Sequence, residues 1–140
     1  MKNNKKGFTL VELLAVIVIL AVVILIAVTA VVPRMNNAKM NAFADEALAY
    51  IKAAQEYAVA QQADGSAAPT CILISSLNGT YIDKKGETYT GVVENDSGTW
   101  KIYIKGTKYM INGKSSPFTV SGSNPSVVAA GTLGKTSCSS

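Results

Sequence analysis

Residues 6–32 read KGFTLVELLAVIVILAVVILIAVTAVV, and this stretch decides how the rest of the chain can be arranged. Within residues 13–32 the side chains are apolar except for Thr29. A helix of that length is about 30 Å long, which matches the hydrocarbon core of a bilayer. The stretch therefore predicts a helix that spans a membrane.

Lysines at the start of the chain predict the orientation of this helix. Lys2, Lys5 and Lys6 precede the apolar run, and cationic residues favour the cytoplasmic side, so the C-terminal part would be exported. A cleaved secretory signal is the alternative, with a cut near AVTAVV at residues 27–32. Such signals have apolar segments of about 7 to 15 residues. The longer run favours a retained helix.

Glu12 lies in the first turns of this apolar helix. A carboxylate at the centre of a membrane helix costs about 2.5 to 3.5 kcal/mol, and less near the end, so the surrounding Leu, Ile and Val residues outweigh it. Ionisable groups inside membrane segments are functional by default. The alternative is that Glu12 only reaches back to the membrane surface and has no role.

The sequence KGFTLVELL at residues 6–14 resembles the class III signal of type IV pilins and of the pseudopilins of secretion and DNA-uptake systems. The resemblance implies that a prepilin peptidase cuts after Gly7 and that the new N-terminal residue, Phe8, is N-methylated. It also implies that Glu12 pairs with the Phe8 amine of a neighbouring subunit. A buried ion pair of this kind sets register, because a slip leaves a charge unpaired.

Residues 34–63 predict a continuation of the helix with an apolar stripe for packing on a sheet. The stripe consists of Met40, Phe43, Ala47, Tyr50, Ala54 and Tyr57. The sequence DGSAAP at residues 64–69 should end the helix. Pro33 should bend the helix. Many members of the family have their first such proline four positions earlier, where this chain has Thr29.

The C-terminal half predicts an antiparallel meander. Residues 88–94, 99–105 and 108–111 are expected to be strands joined by tight turns, and residues 116–120 a fourth strand at an edge. Residues 70–82 are ambiguous between a short helix and a strand. On the middle strand, Trp100, Ile102 and Ile104 should face the helix, and the opposite face should meet solvent or a neighbour.

Together these patterns predict an α+β protein in which a long N-terminal helix packs on a C-terminal meander, as in the pilin fold. The expected divisions are a cleaved leader at residues 1–7, a transmembrane or filament-core half of the helix at 8–33, an amphipathic half at 34–63 and a globular β-sheet region with a C-terminal loop at 64–140.

Two cysteines, Cys71 and Cys138, predict a disulfide in an exported domain, with two free thiols as the alternative. The chain has no histidine, which excludes Ser-His and Cys-His nucleophile pairs and makes a metal site improbable. No cofactor is expected, and the chain is not expected to be an enzyme. The net charge of +4 comes largely from the leader, so nothing indicates a specific nucleic-acid ligand.

Three functions are compatible with these features. The favoured one is a structural subunit of a type IV pilus, which serves adhesion, motility or DNA uptake. The second is a pseudopilin of a secretion or competence system, and the third is a membrane-anchored binding module that does not polymerise. The resemblance implies as partners other pilin subunits, prepilin peptidase, and the assembly platform protein with its ATPase. It places the chain in the cytoplasmic membrane before assembly and in a surface filament afterwards.

Overall fold

The computed structural model describes residues 7–83, 86–123 and 125–138, so the predicted leader lies outside the described residues except for Gly7. One long helix is followed by a five-stranded antiparallel sheet, which confirms the predicted α+β fold. The elements are α1 (Leu10–Ala63), β1 (Cys71–Leu73), α2 (Ile74–Leu77), β2 (Thr90–Asp96), β3 (Thr99–Lys105), β4 (Tyr109–Ser115) and β5 (Val127–Ala129). The chain divides into two units, Met1–Asn36 and Asn37–Ser140.

In the first unit, every described residue is exposed. The helix contains an 18-residue window with a mean hydropathy of 3.4, of which 0% is buried. Leu, Ile and Val side chains surround the helix on all sides, and an apolar surface of this extent is not stable in water. The length and composition of this segment therefore fit a helix that crosses a membrane.

The second unit, called the head below, has its core between one face of α1 and one face of the sheet. Ala47 and Ala54 are 0% exposed, and so are Ile102, Ile104 and Ile111 on the strands. The small alanines let the helix lie close to the branched side chains of the sheet. Phe43 and Tyr50 are buried beside them, while Met40 and Tyr57 pack at the margin. The predicted apolar stripe is therefore confirmed.

The five strands follow one another in chain order, so the sheet is a simple meander. The strand predicted at residues 99–105 is β3, and its neighbour β2 begins two residues later than predicted. Ser97 and Gly98 join these strands and both have positive φ, 52° and 93°. Two such residues form the type I′ turn that fits the twist of a hairpin. The predicted tight turn is therefore confirmed.

The prediction for the edge of the sheet was wrong. Residues 116–120 form no strand, and the last strand is Val127–Ala129, which pairs with Tyr109, Met110 and Ile111. Pro117 has no N–H to donate to a ladder, and Phe118 packs against the core from an irregular segment. At the other edge, the ambiguous segment contains both alternatives, because strand β1 leads directly into helix α2.

The face of the sheet turned away from α1 is covered by the chain's own C-terminal segment, where solvent or a neighbour was predicted. The N–H of Gly134 donates to Asn112 Oδ1 on β4 at 2.9 Å, and Lys135 forms an ion pair of 2.6 Å with Glu94 on β2. Leu133 is 9% exposed. We call residues 131–138 the strap.

A disulfide between Cys138 and Cys71 ends the strap on β1, with 5.6 Å between the two Cα atoms. Cys71 pairs with Glu94 in the sheet, so the first strand and the strap are held at the same place. The bridge closes a loop with a sequence separation of 67 residues. A closed loop of this length lowers the entropy of the unfolded chain.

Replacing both cysteines with serine should lower the free energy of unfolding of the head by about 4 kcal/mol, the value that the chain-entropy model gives for this loop. The measurement is urea denaturation of the full chain in detergent micelles. Fluorescence of Trp100, the chain's single tryptophan, follows the transition. The reduced wild-type protein should unfold at the same urea concentration as the double variant. Identical midpoints for oxidised wild type and double variant would contradict the prediction.

Candidate processing and assembly site

The start of α1 is fixed by hydrogen bonds between Thr9 and Glu12. The Thr9 N–H donates to Glu12 Oε2 at 3.0 Å, and the Glu12 N–H donates to Thr9 Oγ1 at 3.2 Å. The Thr9 hydroxyl also donates to Glu12 Oε2, at 3.2 Å. This reciprocal arrangement is a capping box, in which Thr9 is the N-cap and Glu12 the third helical residue. It satisfies two of the N–H groups that a helix start leaves unpaired.

The sequence prediction identified Glu12 but missed Thr9. Glu12 was judged by its charge in an apolar run, whereas its position three residues after a threonine is the sequence signature of a capping box. That spacing predicts a helix that starts at Leu10, as observed. Glu12 therefore has a local role in the free chain, in addition to the role that the resemblance implies for it in an assembled polymer.

The Glu12 carboxylate retains an oxygen for a further partner. Both of its hydrogen bonds use Oε2. Oε1 accepts no hydrogen bond within the described part of the chain, where no lysine or arginine pairs with Glu12 either. An ionised carboxylate has about four acceptor positions. The group can thus keep its capping contacts and still bind a cation from outside the chain.

Gly7 and Phe8 precede the capping box and are not helical. The Phe8 side chain is 89% exposed, and a Cβ built on Gly7 meets no atom within 4 Å. The peptide bond between them is thus in irregular, open chain directly before the first helical turn.

Pro33 lies inside α1, and the bend expected there stays a prediction. At Thr29, the hydroxyl donates to the carbonyl of Ile26 at 2.8 Å.

A second polar cluster lies in the head, in a cleft between α1 and the start of β2. The Tyr89 hydroxyl donates to Glu46, and the Tyr50 hydroxyl donates to Asn78 Oδ1 at 2.7 Å. Burial, together with the hydrogen bond to Glu46, raises the pKa of Tyr89. Burial, together with the nearby charge of Glu46, also raises the pKa of Tyr50, so both tyrosines are neutral donors at ordinary pH. In the described residues no group of three or more His, Cys, Asp or Glu could hold a metal ion.

The comparisons with known proteins concern the segment that contains the capping box. A family model described as the prokaryotic N-terminal methylation motif matches residues 2–28. The comparisons with curated proteins and with solved structures found no match. The matched segment includes Gly7, Phe8, Thr9 and Glu12, and most of the exposed apolar helix. Residues 2–28 of this chain therefore carry the prokaryotic N-terminal methylation motif, which is the class III signal of type IV pilins and pseudopilins.

Proposed function

We propose that this protein is a structural subunit of a bacterial type IV pilus. Prepilin peptidase removes residues 1–7, Phe8 becomes the N-methylated N-terminus, and subunits polymerise through residues 8–33. Residues 34–63 and 64–140 then form the part of each subunit outside the filament core. The partners are further copies of this chain, the peptidase, and the assembly platform protein with its ATPase.

The observation that supports this proposal most directly is the open oxygen of Glu12 on the apolar part of α1, in which the residues up to 36 are all exposed. Packing of such helices against one another removes their apolar surface from lipid, and it also places Glu12 where water is scarce. A buried carboxylate without a partner is destabilising by about 3 to 5 kcal/mol. The ammonium group of a processed Phe8 on a neighbouring subunit supplies the missing charge, and Glu12 Oε1 is free to accept a hydrogen bond from it.

This pairing also explains why a polymer would assemble in one register. The apolar side chains of residues 13–32 are similar to one another, so they can slide past each other at little cost. The ion pair forms at one axial offset only, and every other offset leaves both charges unpaired. Before assembly, Glu12 stays near the cytoplasmic face of the membrane, where a carboxylate can reach water.

The Glu12→Val variant should be processed but should yield at most a tenth of the wild-type filament mass, because its subunits have no acceptor for the amine. The measurement is the mass of filaments sheared from cells that express the variant alone. Co-expression with wild-type subunits should restore part of the yield. Normal filaments from Glu12→Val alone would contradict the proposed pairing.

The matched control is Glu12→Gln, which separates charge from capping. Glutamine can still accept the Thr9 N–H through its amide oxygen, yet it carries no charge for an ammonium partner. If the charge matters, Glu12→Gln should assemble as poorly as Glu12→Val. If the capping box alone matters, Glu12→Gln should assemble normally, which would overturn the assigned role of the ion pair.

A pseudopilin is the second candidate, since the matched motif is shared by both classes. Electron microscopy of cells with and without this chain distinguishes the two. Long surface fibres that disappear with the chain support a pilus subunit. Absence of fibres together with loss of protein secretion or DNA uptake supports a pseudopilin. A membrane-anchored protein that is never cut after Gly7 and never polymerises would contradict both.

A further inference from the structure

We infer that Thr9 is a positioning residue for leader removal, because its side chain keeps the peptide bond between Gly7 and Phe8 outside the helix. The inference rests on the proposed cleavage after Gly7 and adds a residue that determines whether this bond is accessible. It concerns the chain before assembly, whereas the role proposed for Glu12 concerns the filament.

The argument begins with the backbone donors of the first turn. The first helical hydrogen bond runs from the N–H of Leu13 to the carbonyl of Thr9, at 3.2 Å. One residue earlier, the N–H of Glu12 would donate to the carbonyl of Phe8 if the helix continued backwards. In the structure this N–H donates to Thr9 Oγ1 instead. The threonine hydroxyl therefore takes the place of the next helical acceptor.

Extension of the helix by one further residue would engage the carbonyl of Gly7, which belongs to the bond that is cut. The N–H of Val11 would be its donor in a regular helix. A peptide bond inside a helix must open locally before a peptidase can act on it, and its cleavage then follows the population of the open form. A cap at Thr9 keeps this carbonyl in open chain without such a step.

Without the hydroxyl, we expect the helix to extend towards the leader and not to shorten. Residues 10–28 contain no Ser, Thr, Asp or Asn that could act as a new N-cap further along. Unpaired N–H groups in hydrocarbon are costly, and backward extension moves them towards the aqueous side. The expected product of losing the cap is therefore a helix that includes Phe8 and Gly7.

The test uses the full chain in detergent micelles with purified prepilin peptidase, under single-turnover conditions. The loss of the leader is followed by mass spectrometry, and the conformation of Phe8 by its ¹³Cα chemical shift. A lost cap of about 1 kcal/mol shifts the equilibrium between the open and the helical form about fivefold. Because the open form predominates in the wild type, Thr9→Val should be cut about two- to threefold more slowly, and its Phe8 shift should move towards helical values. Thr9→Ser keeps a capping hydroxyl and should be cut at the wild-type rate.

Two further variants separate the possible explanations. Thr29→Val removes a hydroxyl that also bonds the backbone of α1, far from the cleavage site, and should not change the rate. Glu12→Val keeps the bond from the N–H of residue 12 to the Thr9 hydroxyl but removes the acceptor of the Thr9 N–H, so it should be cut at a rate between those of the wild type and Thr9→Val, although it assembles poorly. The main effect of Thr9→Val would thus be on cutting, whereas the main effect of Glu12→Val would be on polymerisation.

The inference is overturned if Thr9→Val is cut at the wild-type rate, if its Phe8 shift stays non-helical, or if Thr9→Ser is as slow as Thr9→Val. Each of these results leaves the proposed function intact, provided that the wild-type chain is cut after Gly7. A wild-type chain that the peptidase does not cut overturns the proposed function as well as the inference.

Discussion

Replacing Gly91 with alanine should destabilise the head by about 4 kcal/mol or more and leave it largely unfolded. Gly91 lies in β2 with a φ of 132°, a region that residues with side chains rarely adopt. A Cβ at this position would lie 1.9 Å from the carbonyl oxygen of Tyr103. This oxygen belongs to the backbone, so no side-chain rotation can relieve the clash. The same Cβ would lie 3.0 Å from Leu133 Cδ2 of the strap. The methyl group would therefore separate β2 from β3 at the centre of the sheet.

The measurement is urea denaturation of the full chain in micelles, followed by Trp100 fluorescence. Gly98→Ala is the matched control, because Gly98 also has a positive φ but a Cβ built there meets nothing within 4 Å. It should cost only the backbone strain, of about 1 kcal/mol. Equal losses for the two variants would show that strain alone acts and would contradict the predicted clash with Tyr103.

Replacing Gly7 with valine should abolish leader removal and leave the full-length chain in the membrane without filaments. In the proposed processing, Gly7 is the residue directly before the cut. A peptidase that accommodates glycine there has little space for a branched side chain, in the same way that a small pocket rejects a larger substrate. The measurement is an immunoblot that resolves the chain with and without its seven-residue leader, with electron microscopy of the same cells.

The structure allows this loss to be assigned to processing. A Cβ on Gly7 meets no atom within 4 Å, so Gly7→Val should unfold at the same urea concentration as the wild-type protein. A variant that is destabilised, or one that is cut and assembles as before, would contradict the prediction. The two substitutions are thus expected to act on different properties. Gly91→Ala should lower the stability of the head, and Gly7→Val should block processing without changing that stability.

The long elements could be predicted from the sequence because their patterns repeat over many residues. The apolar stripe of residues 40–57 and the alternation of residues 99–105 indicated which side chains share a face. The short edge strands could not be predicted in the same way. Three residues, as in β1 and β5, carry no period, and their pairing depends on neighbours that are distant in the chain. Phe118 and Val120 alternate like a strand, yet they pack on the core from an irregular segment.

The strap shows a second limit of sequence patterns. Residues 131–138 are mostly small or polar, and nothing in them predicts contact with a sheet. Their position depends on particular contacts of Gly134, Lys135 and Cys138 with three different strands. At the N-terminus, by contrast, the sequence does contain a pattern that predicts the local structure. The charge of Glu12 in an apolar run indicates a functional group. The spacing of Thr9 and Glu12 indicates their second role, as the capping box of α1.

The bridge between Cys71 and Cys138 also determines how far the head can be stretched. If the proposed fibre is under tension, a head that unfolds lengthens by the contour length of the chain segment that it releases. The 67-residue separation spanned by the bridge corresponds to about 230 Å of extended chain, and a pull on the two ends of the chain releases none of it while the bond is closed. With the bond closed, a subunit pulled from its ends can therefore lengthen only through the residues outside the bridged loop, even after its tertiary packing is lost.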